Sequence, residues 1–398
     1  MHTAHHYDVA VIGAGCFGAW MAFELQKRGQ RVILLDAYGP ASSRSSSGGE
    51  SRIMRMGYGA DEIYTRWAMR ALPLWQEFFE RVRQPLFHQT GVLWLAHEGE
   101  KYNEHNLAVF KKLGVPHERL SRRDIEKRYP QFSLDPGHAA TQWKVVPLRP
   151  VTGGILEPES GVVLARRAVQ AVVEEAVKNG VEYLQAASVA PTGKRKLSAV
   201  TAQSGTEIHA GTFVFACGPW LPKLFPELLG GRIFPTRQEV FFFGAPAGDA
   251  RFMPPAMPTW INLGDEHYGM PSLEHRGVKI AFDRHGARFD PDTGKRVASS
   301  EGLQEVREYL GARLPALRDA PVVETRVCQY ENTSNGDFLV DRHPDFDNVW
   351  LVGGGSGHGF KHGPVMGEYV TAQVLDGGPA EPRFSLATKA KVQHRSVF

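Results

Sequence analysis

Many of the features that would narrow the field quickly are missing from this chain of 398 residues. Cysteine occurs only three times, at Cys16, Cys217 and Cys328, widely spaced and without a CxxC or Cys/His pattern. Neither a disulfide framework nor a metal site is therefore expected. No apolar run approaches the length of a membrane span. Charge of one sign is equally scarce: the formal net charge is +3, with Lys and Arg scattered rather than clustered. That speaks against the basic face of a nucleic-acid binder. There is no tandem repeat. Only seven residues precede the first predicted strand, too few for a signal peptide, and the closing Ser396-Val397-Phe398 is not a peroxisomal signal. The expectation is a soluble, cytoplasmic protein, long enough for two domains with substantial cores.

What the chain does have is a dense opening. Asp8-Val9-Ala10-Val11-Ile12 reads as one buried strand running into Gly13-Ala14-Gly15-Cys16-Phe17-Gly18. A helical pattern follows to Lys27, then a second buried strand, Arg31 to Leu35, closed by Asp36. This is the dinucleotide-binding βαβ unit. Gly13 permits the tight turn, Gly15 lets a pyrophosphate approach the backbone, and Gly18 lets the helix pack closely on the sheet. The helix N-terminus offers free N–H groups to the phosphates, and Asp36 would accept hydrogen bonds from ribose hydroxyls. The motif by itself does not separate FAD from NAD.

Further along, a Ser/Gly-rich stretch from Ala41 ends in Ser51-Arg52-Ile53-Met54-Arg55-Met56-Gly57-Tyr58-Gly59. A plain linker would not mix guanidiniums with apolar residues in this way, so the stretch suits an anionic or electron-rich ligand. Helices are predicted over Tyr64 to Arg83, Lys101 to Leu113, Ser121 to Tyr129, Val162 to Asn179, Leu303 to Leu314 and Pro364 to Leu375. Strands are predicted over Gln89 to Ala96, Val181 to Leu184, Thr212 to Ala216, Thr236 to Phe243, Gly277 to Phe282 and Asn348 to Val352, with a turn at Gly153 to Pro158. A strand, a glycine-rich turn and a helix thus recur near the C-terminus. The fold class is α/β: a dinucleotide-binding, Rossmann-like βαβ domain, which the family resemblance below makes FAD-binding, with a second, mostly antiparallel-sheet substrate domain, discontinuous in sequence. We assign 1–87, 151–234 and 326–398 to the first, and 88–150 and 235–325 to the second.

The opening motif, Ser46 to Gly59, Lys279, Cys328-Gln329-Tyr330 and Gly355-Ser356-Gly357-His358-Gly359-Phe360-Lys361 together resemble the monomeric sarcosine oxidase family. That family belongs to the D-amino-acid-oxidase-type flavoproteins and includes N-methyltryptophan oxidase. The resemblance runs from about residue 7 to 385 and keeps order and spacing. It implies FAD-dependent oxidation of a C–N bond in a secondary amine or amino acid to an imine, with O2 reoxidising the flavin to give H2O2. A same-fold dehydrogenase with another acceptor, or a tRNA-modifying oxidoreductase, are the alternatives. The resemblance also implies a small-molecule amine as partner, no nucleic acid or membrane, and a monomer.

Residue roles follow from the same resemblance. Cys328 matches the cysteine that bonds covalently to the flavin, although a free cysteine is usually a small buried hydrophobe. Lys279 matches the lysine over the flavin that activates oxygen, although a strand lysine is ordinarily an edge charge. Lys361 and Arg55 match a pair that holds the substrate carboxylate, and Arg52 an arginine beside the flavin ring; both arginines are also readable as structural ion-pair residues. Tyr330 matches a tyrosine lining the substrate cavity. Ser46, Ser51, Gly357 and Phe360 are expected at the cofactor, and Val189 near its adenine. Departures matter too. Paired histidines of the family are Ser47-Gly48 here, a tyrosine near the substrate is His267 followed by Tyr268, and a cavity histidine is Asp283. The altered pocket makes sarcosine itself an unexpected substrate.

Overall fold

The structure, a computed structural model, describes residues 6–135, 138–140 and 145–394. The reading of Ser396-Val397-Phe398 lies outside them.

The first sheet has seven strands, and its central path runs Glu182–Gln185, Val32–Asp36, His6–Ile12, Glu207–Phe215, Val349–Gly353, Leu339–Arg342. The first four junctions are parallel and the last antiparallel. Val9, Ala10, Val11 and Ile12 are all buried, as a strand covered on both faces requires. Helices Ala165–Lys178 and Gly363–Asp376 both pack against helix Cys16–Lys27 beside it. The first and last segments of the chain do share a sheet, as the sequence suggested.

The second sheet has eight strands, in the order Val322–Thr333, Ile233–Phe243, Val278–Phe282, His267–Met270, Thr259–Asn262, Val92–His97, Val151–Glu157, Glu118–Ser121. Every junction is antiparallel except that between Thr259–Asn262 and Val92–His97. A three-stranded sheet of Arg52–Met54, Gly161–Val163 and Phe87–His88 carries the arginine segment.

Two predictions of local structure are corrected. Gly153 to Pro158 is not a turn but most of the buried strand Val151–Glu157. Its glycines are there for close approach: a Cβ on Gly154 would sit 2.6 Å from Trp94 O, and one on Gly153 2.8 Å from Leu120 O. The helix predicted from Val162 starts at Ala165, because Gly161–Val163 is a strand. Elsewhere the predicted elements are present within a few residues, and Ser121 with Asp124 forms the reciprocal cap of the helix Arg122–Arg128.

Candidate active site

The opening turn is dictated by sterics. Gly13 takes a φ of +111°, and a Cβ there would meet Ala216 O at 2.4 Å; on Gly18 it would meet Gly13 O at 1.7 Å. Asp36 closes the unit, its Oδ2 accepting from Ala14 N at 2.7 Å and its Oδ1 from Tyr38 N at 2.8 Å. Around this turn lies a cavity of about 360 Å³ lined by Gly13, Gly15, Asp36, Ser46, Arg52, Cys217, Gly218, Glu331, Gly357 and Phe360 among others. Three polar atoms of its lining residues, Ser46 Oγ, Gln329 Oε1 and Glu331 Oε2, are buried without a hydrogen-bond partner among the described residues. Burial raises the Glu331 carboxyl to about 7, against a hydrogen bond from Gly355 N. A long glycine-walled cradle with an open helix N-terminus and orphaned polar atoms is what a dinucleotide requires, so these residues fit FAD.

A second cavity, of about 70 Å³, shares Arg52, Tyr330, Gly357 and Phe360 with the first. It adds Arg55, Gln238, Tyr268, Asp283, Cys328, His358 and Lys361, on an apolar ground of Ile53, Val240, Ile261 and Met270. Trp75 positions the Phe360-Lys361 corner, stacking on the Phe360 ring at 5.6 Å and donating from Nε1 to Lys361 O at 3.0 Å. Lys361 Nζ donates to Tyr58 Oη at 2.8 Å and His358 O at 3.0 Å. Burial, then Arg55, push its ammonium well below the usual lysine range. Arg55 donates to Gly57 O and lies over the rings of Tyr58 at 4.4 Å and Trp94 at 5.1 Å. Arg52 donates to Ser51 O at 2.8 Å, Ser46 O at 2.7 Å and Cys328 Sγ at 3.1 Å, so the thiol stands against a guanidinium where the two cavities meet.

The structure thus gathers Arg52, Arg55, Tyr268, Asp283, Cys328, Tyr330, Gly357, Phe360 and Lys361 from segments far apart in sequence. It does not gather all the predicted residues. His267 lines neither cavity: it is buried on the opposite face of its strand, 3.9 Å from the Tyr309 ring in a parallel stack. Side chains alternate along a strand, so Tyr268 faces the cavity and His267 cannot. Burial lowers His267 to about 4, keeping it neutral. Lys279 and Ser51 line neither cavity but a third one of about 50 Å³, where Lys279 Nζ donates to Ser51 O at 2.9 Å and Oγ at 3.3 Å. Burial and Arg52 hold that lysine well below its usual range. Val189 is 46 % exposed, and its neighbours Ala187 and Ser188 line the cofactor cavity in its place. Gly48 opens no space in the pocket, since a Cβ there would meet Ser42 O at 1.8 Å.

Sequence reasoning missed Glu331, Tyr58 and Gln238. Strand parity was the available signal for Glu331: along Val322–Thr333, Cys328 lines the smaller cavity, Gln329 and Glu331 the larger, and Tyr330 both.

A family model described as FAD dependent oxidoreductase matches residues 8–373. The chain belongs to that family. It is 29% identical over 389 residues to the monomeric sarcosine oxidase of Bacillus sp. (strain NS-129), covering 96% of each chain. It is 26% identical over 381 residues to the N-methyl-L-tryptophan oxidase of Salmonella heidelberg (strain SL476), covering 94% of this chain and 96% of the relative. Among solved structures, the L-proline dehydrogenase from P. horikoshii superposes with a TM-score of 0.82 at 21% identity, over 96% of this chain and 97% of that one. At that identity the likeness establishes the fold.

Proposed function

We propose that this FAD dependent oxidoreductase oxidises the C–N bond of a secondary amine or amino acid to an imine, which water then hydrolyses. The observation carrying this reading is the pair of cavities that share Arg52, Tyr330, Gly357 and Phe360: a glycine-walled cradle joined to a small pocket holding Arg55 and Lys361. FAD, when bound, supplies the chemistry, accepting hydride from the carbon beside nitrogen and passing the electrons to O2 as H2O2. Arg55 and Lys361 hold the substrate's carboxylate, and the apolar residues opposite exclude water from the reacting carbon. Gly13, Gly15, Gly18, Asp36, Ser46, Gly357 and Phe360 hold the cofactor, with Arg52 beside its ring. Cys328, fixed by Arg52, is the attachment point for covalent FAD.

We place the two domains on the two sheets, with 151–157 and 322–333 on the substrate side because both pair in the eight-stranded sheet. No helix among the described residues is long and apolar enough to cross a membrane; we propose a cytoplasmic monomer.

One observation favours keeping the dehydrogenase reading in view. Lys279, the residue suited to oxygen activation, is bonded to Ser51 and lines neither of the two shared cavities. Anaerobic mixing with a panel of N-methyl, cyclic and glycated amines should bleach the flavin, and readmitted air should restore it with one peroxide per turnover. Turnover only with an artificial acceptor would make the protein a dehydrogenase; no bleaching by any amine would end the amine reading. Acid precipitation should carry the yellow colour into the pellet, and Cys328→Ala should leave it in the supernatant.

A further inference from the structure

An amino acid entering a dry pocket brings two charges, and each needs a partner there. The carboxylate has Arg55 and Lys361. The partner of the ammonium is found by asking which acceptors on the wall of the smaller cavity are still open. Gln238 Oε1 accepts from Gly286 N at 2.9 Å and from Thr236 Oγ1 at 3.2 Å, while its Nε2 donates to Arg284 O. His358 is engaged through Nε2 with Gly336 O and through Nδ1 with Tyr58 Oη. Tyr268 and Tyr330 are phenols that burial holds above their ordinary range, so at neutral pH neither supplies a countercharge. The nearby Glu157 does not line the cavity and is saturated by Met56 N, Gly57 N, Trp94 Nε1 and Ser160 Oγ.

Asp283 remains. Among the described residues it is the one acid on this wall, and its carboxyl has no hydrogen bond and no ion pair within 4.0 Å. Its backbone is fixed where the strand Val278–Phe282 ends, Asp283 N donating to Glu266 O at 2.8 Å. The adjacent Arg284 does not neutralise it, because that guanidinium is forked onto Glu305 at 2.7 Å.

We propose that Asp283 receives the substrate's ammonium and takes its proton: R2NH2⁺ and the carboxylate become R2NH and the carboxylic acid, freeing the nitrogen lone pair for oxidation. The substrate class is then a compact zwitterion, its carboxylate on Arg55 and Lys361 and its nitrogen on Asp283. This deepens the amine-oxidation reading and rests on it.

Electrostatics agree with that assignment. Burial raises the Asp283 carboxyl to about 7, against the pull of Arg55 and Lys361, with Glu266 adding to the rise. Tyr268 and Tyr330, both affected by its charge, share this wall with the titratable Arg52, Cys328 and His358. A base of that strength at neutral pH is half poised to accept a proton and half able to return it.

The test compares the flavin-loaded wild type with Asp283→Asn and the conservative Asp283→Glu. The probes are acetate, followed by its perturbation of the flavin spectrum, and the amine that bleaches wild type fastest, followed by anaerobic reduction. For wild type, kcat/KM of reduction should rise to a plateau as pH climbs past about 7, and Asp283→Glu should keep that limb. Asp283→Asn should lose it and instead climb about tenfold per pH unit toward the amine's own pKa, since only free amine is then used. Acetate brings no cation, so it should bind wild type more tightly as pH falls through the same range, and bind Asp283→Asn several-fold more tightly at pH 8. The acetate titration needs only the wild type if the Asn variant does not fold. An unchanged pH profile in Asp283→Asn, or acetate binding indifferent to pH, overturns the proposal while leaving amine oxidation standing. A wild type that no amine bleaches overturns both.

Discussion

The two cavities meet at Arg52, Tyr330, Gly357 and Phe360, yet they are built on opposite plans. Around the opening turn the larger is walled by backbone and small residues, Gly13, Gly15, Ser46, Ser47, Gly355 and Gly357, and there its identity depends on where side chains are absent. The smaller is walled by long side chains anchored on one another: Lys361 on Tyr58, Arg55 on the rings of Tyr58 and Trp94, Arg52 on Cys328. A surface of backbone can be made by a short contiguous segment. A ring of anchored charges needs several strands to arrive in register.

This contrast predicts how each cavity fails. The largest effect should come from displacing the backbone wall: Gly18 does not line the larger cavity, but it packs on Gly13, which does. In Gly18→Ala the new Cβ falls 1.7 Å from Gly13 O, with nothing flexible to yield. We expect at least a tenfold drop in FAD per polypeptide, read from the 450 nm absorbance of the purified protein; normal flavin content would break the comparison.

In the smaller cavity, losses should appear in substrate handling and not in cofactor content. Lys361→Met removes a charged partner of the carboxylate worth about 1.5–3 kcal/mol, or roughly ten- to a hundredfold in affinity. The rise should fall on KM for carboxylate-bearing amines, with flavin content unchanged. Tyr58→Phe keeps the ring under Arg55 but deletes the hydroxyl that Lys361 Nζ meets at 2.8 Å and His362 Nε2 at 2.7 Å. That hydroxyl acts on the substrate only by positioning Lys361, an effect of about 0.5–1.5 kcal/mol, so the same KM should rise about two- to tenfold. An equal loss of flavin in either variant would show that the two cavities are not separable.

The same difference governs what could be read from the chain before folding. Gly13, Gly15, Gly18 and Asp36 lie within one βαβ unit, so spacing alone exposes them, and the sharing of one sheet by the first and last segments followed. The charged ring joins residues such as Arg52 and Cys328 that are 276 positions apart. Family resemblance located most of that ring, but resemblance transfers positions and not the direction in which a side chain points. That direction is set by pairing register: Tyr268 opposite Ala281 and His267 opposite Phe282 in the strand Val278–Phe282. One step along the strand separates the cavity from the core behind it. Glu331 went unread for the same reason, and Gly153-Gly154 read as a turn because only the assembled sheet shows what their missing side chains would strike.

His267 offers the smallest effect on activity and the cleanest check of that parity. Asn262 and the stacked Tyr309 share its surroundings behind the sheet, and it lines neither of the two cavities. His267→Gln should therefore change kcat/KM by less than about twofold, within the scatter of surface substitutions. Its signature should lie in stability. Burial holds the folded-state pKa near 4 against an ordinary value of 6.5, so between those limits the unfolded chain binds the extra proton. The associated stability is complete above pH 6.5 and is lost as pH falls toward 4, by up to about 3 kcal/mol. Glutamine cannot titrate, so His267→Gln should lose that dependence. Asp283 and Glu331 titrate alike in both proteins and cancel in the difference between their urea-unfolding curves at pH 7.5 and pH 5. A large fall in kcat/KM at pH 7.5, with parallel stability profiles, would return His267 to the cavity and undo the register argument.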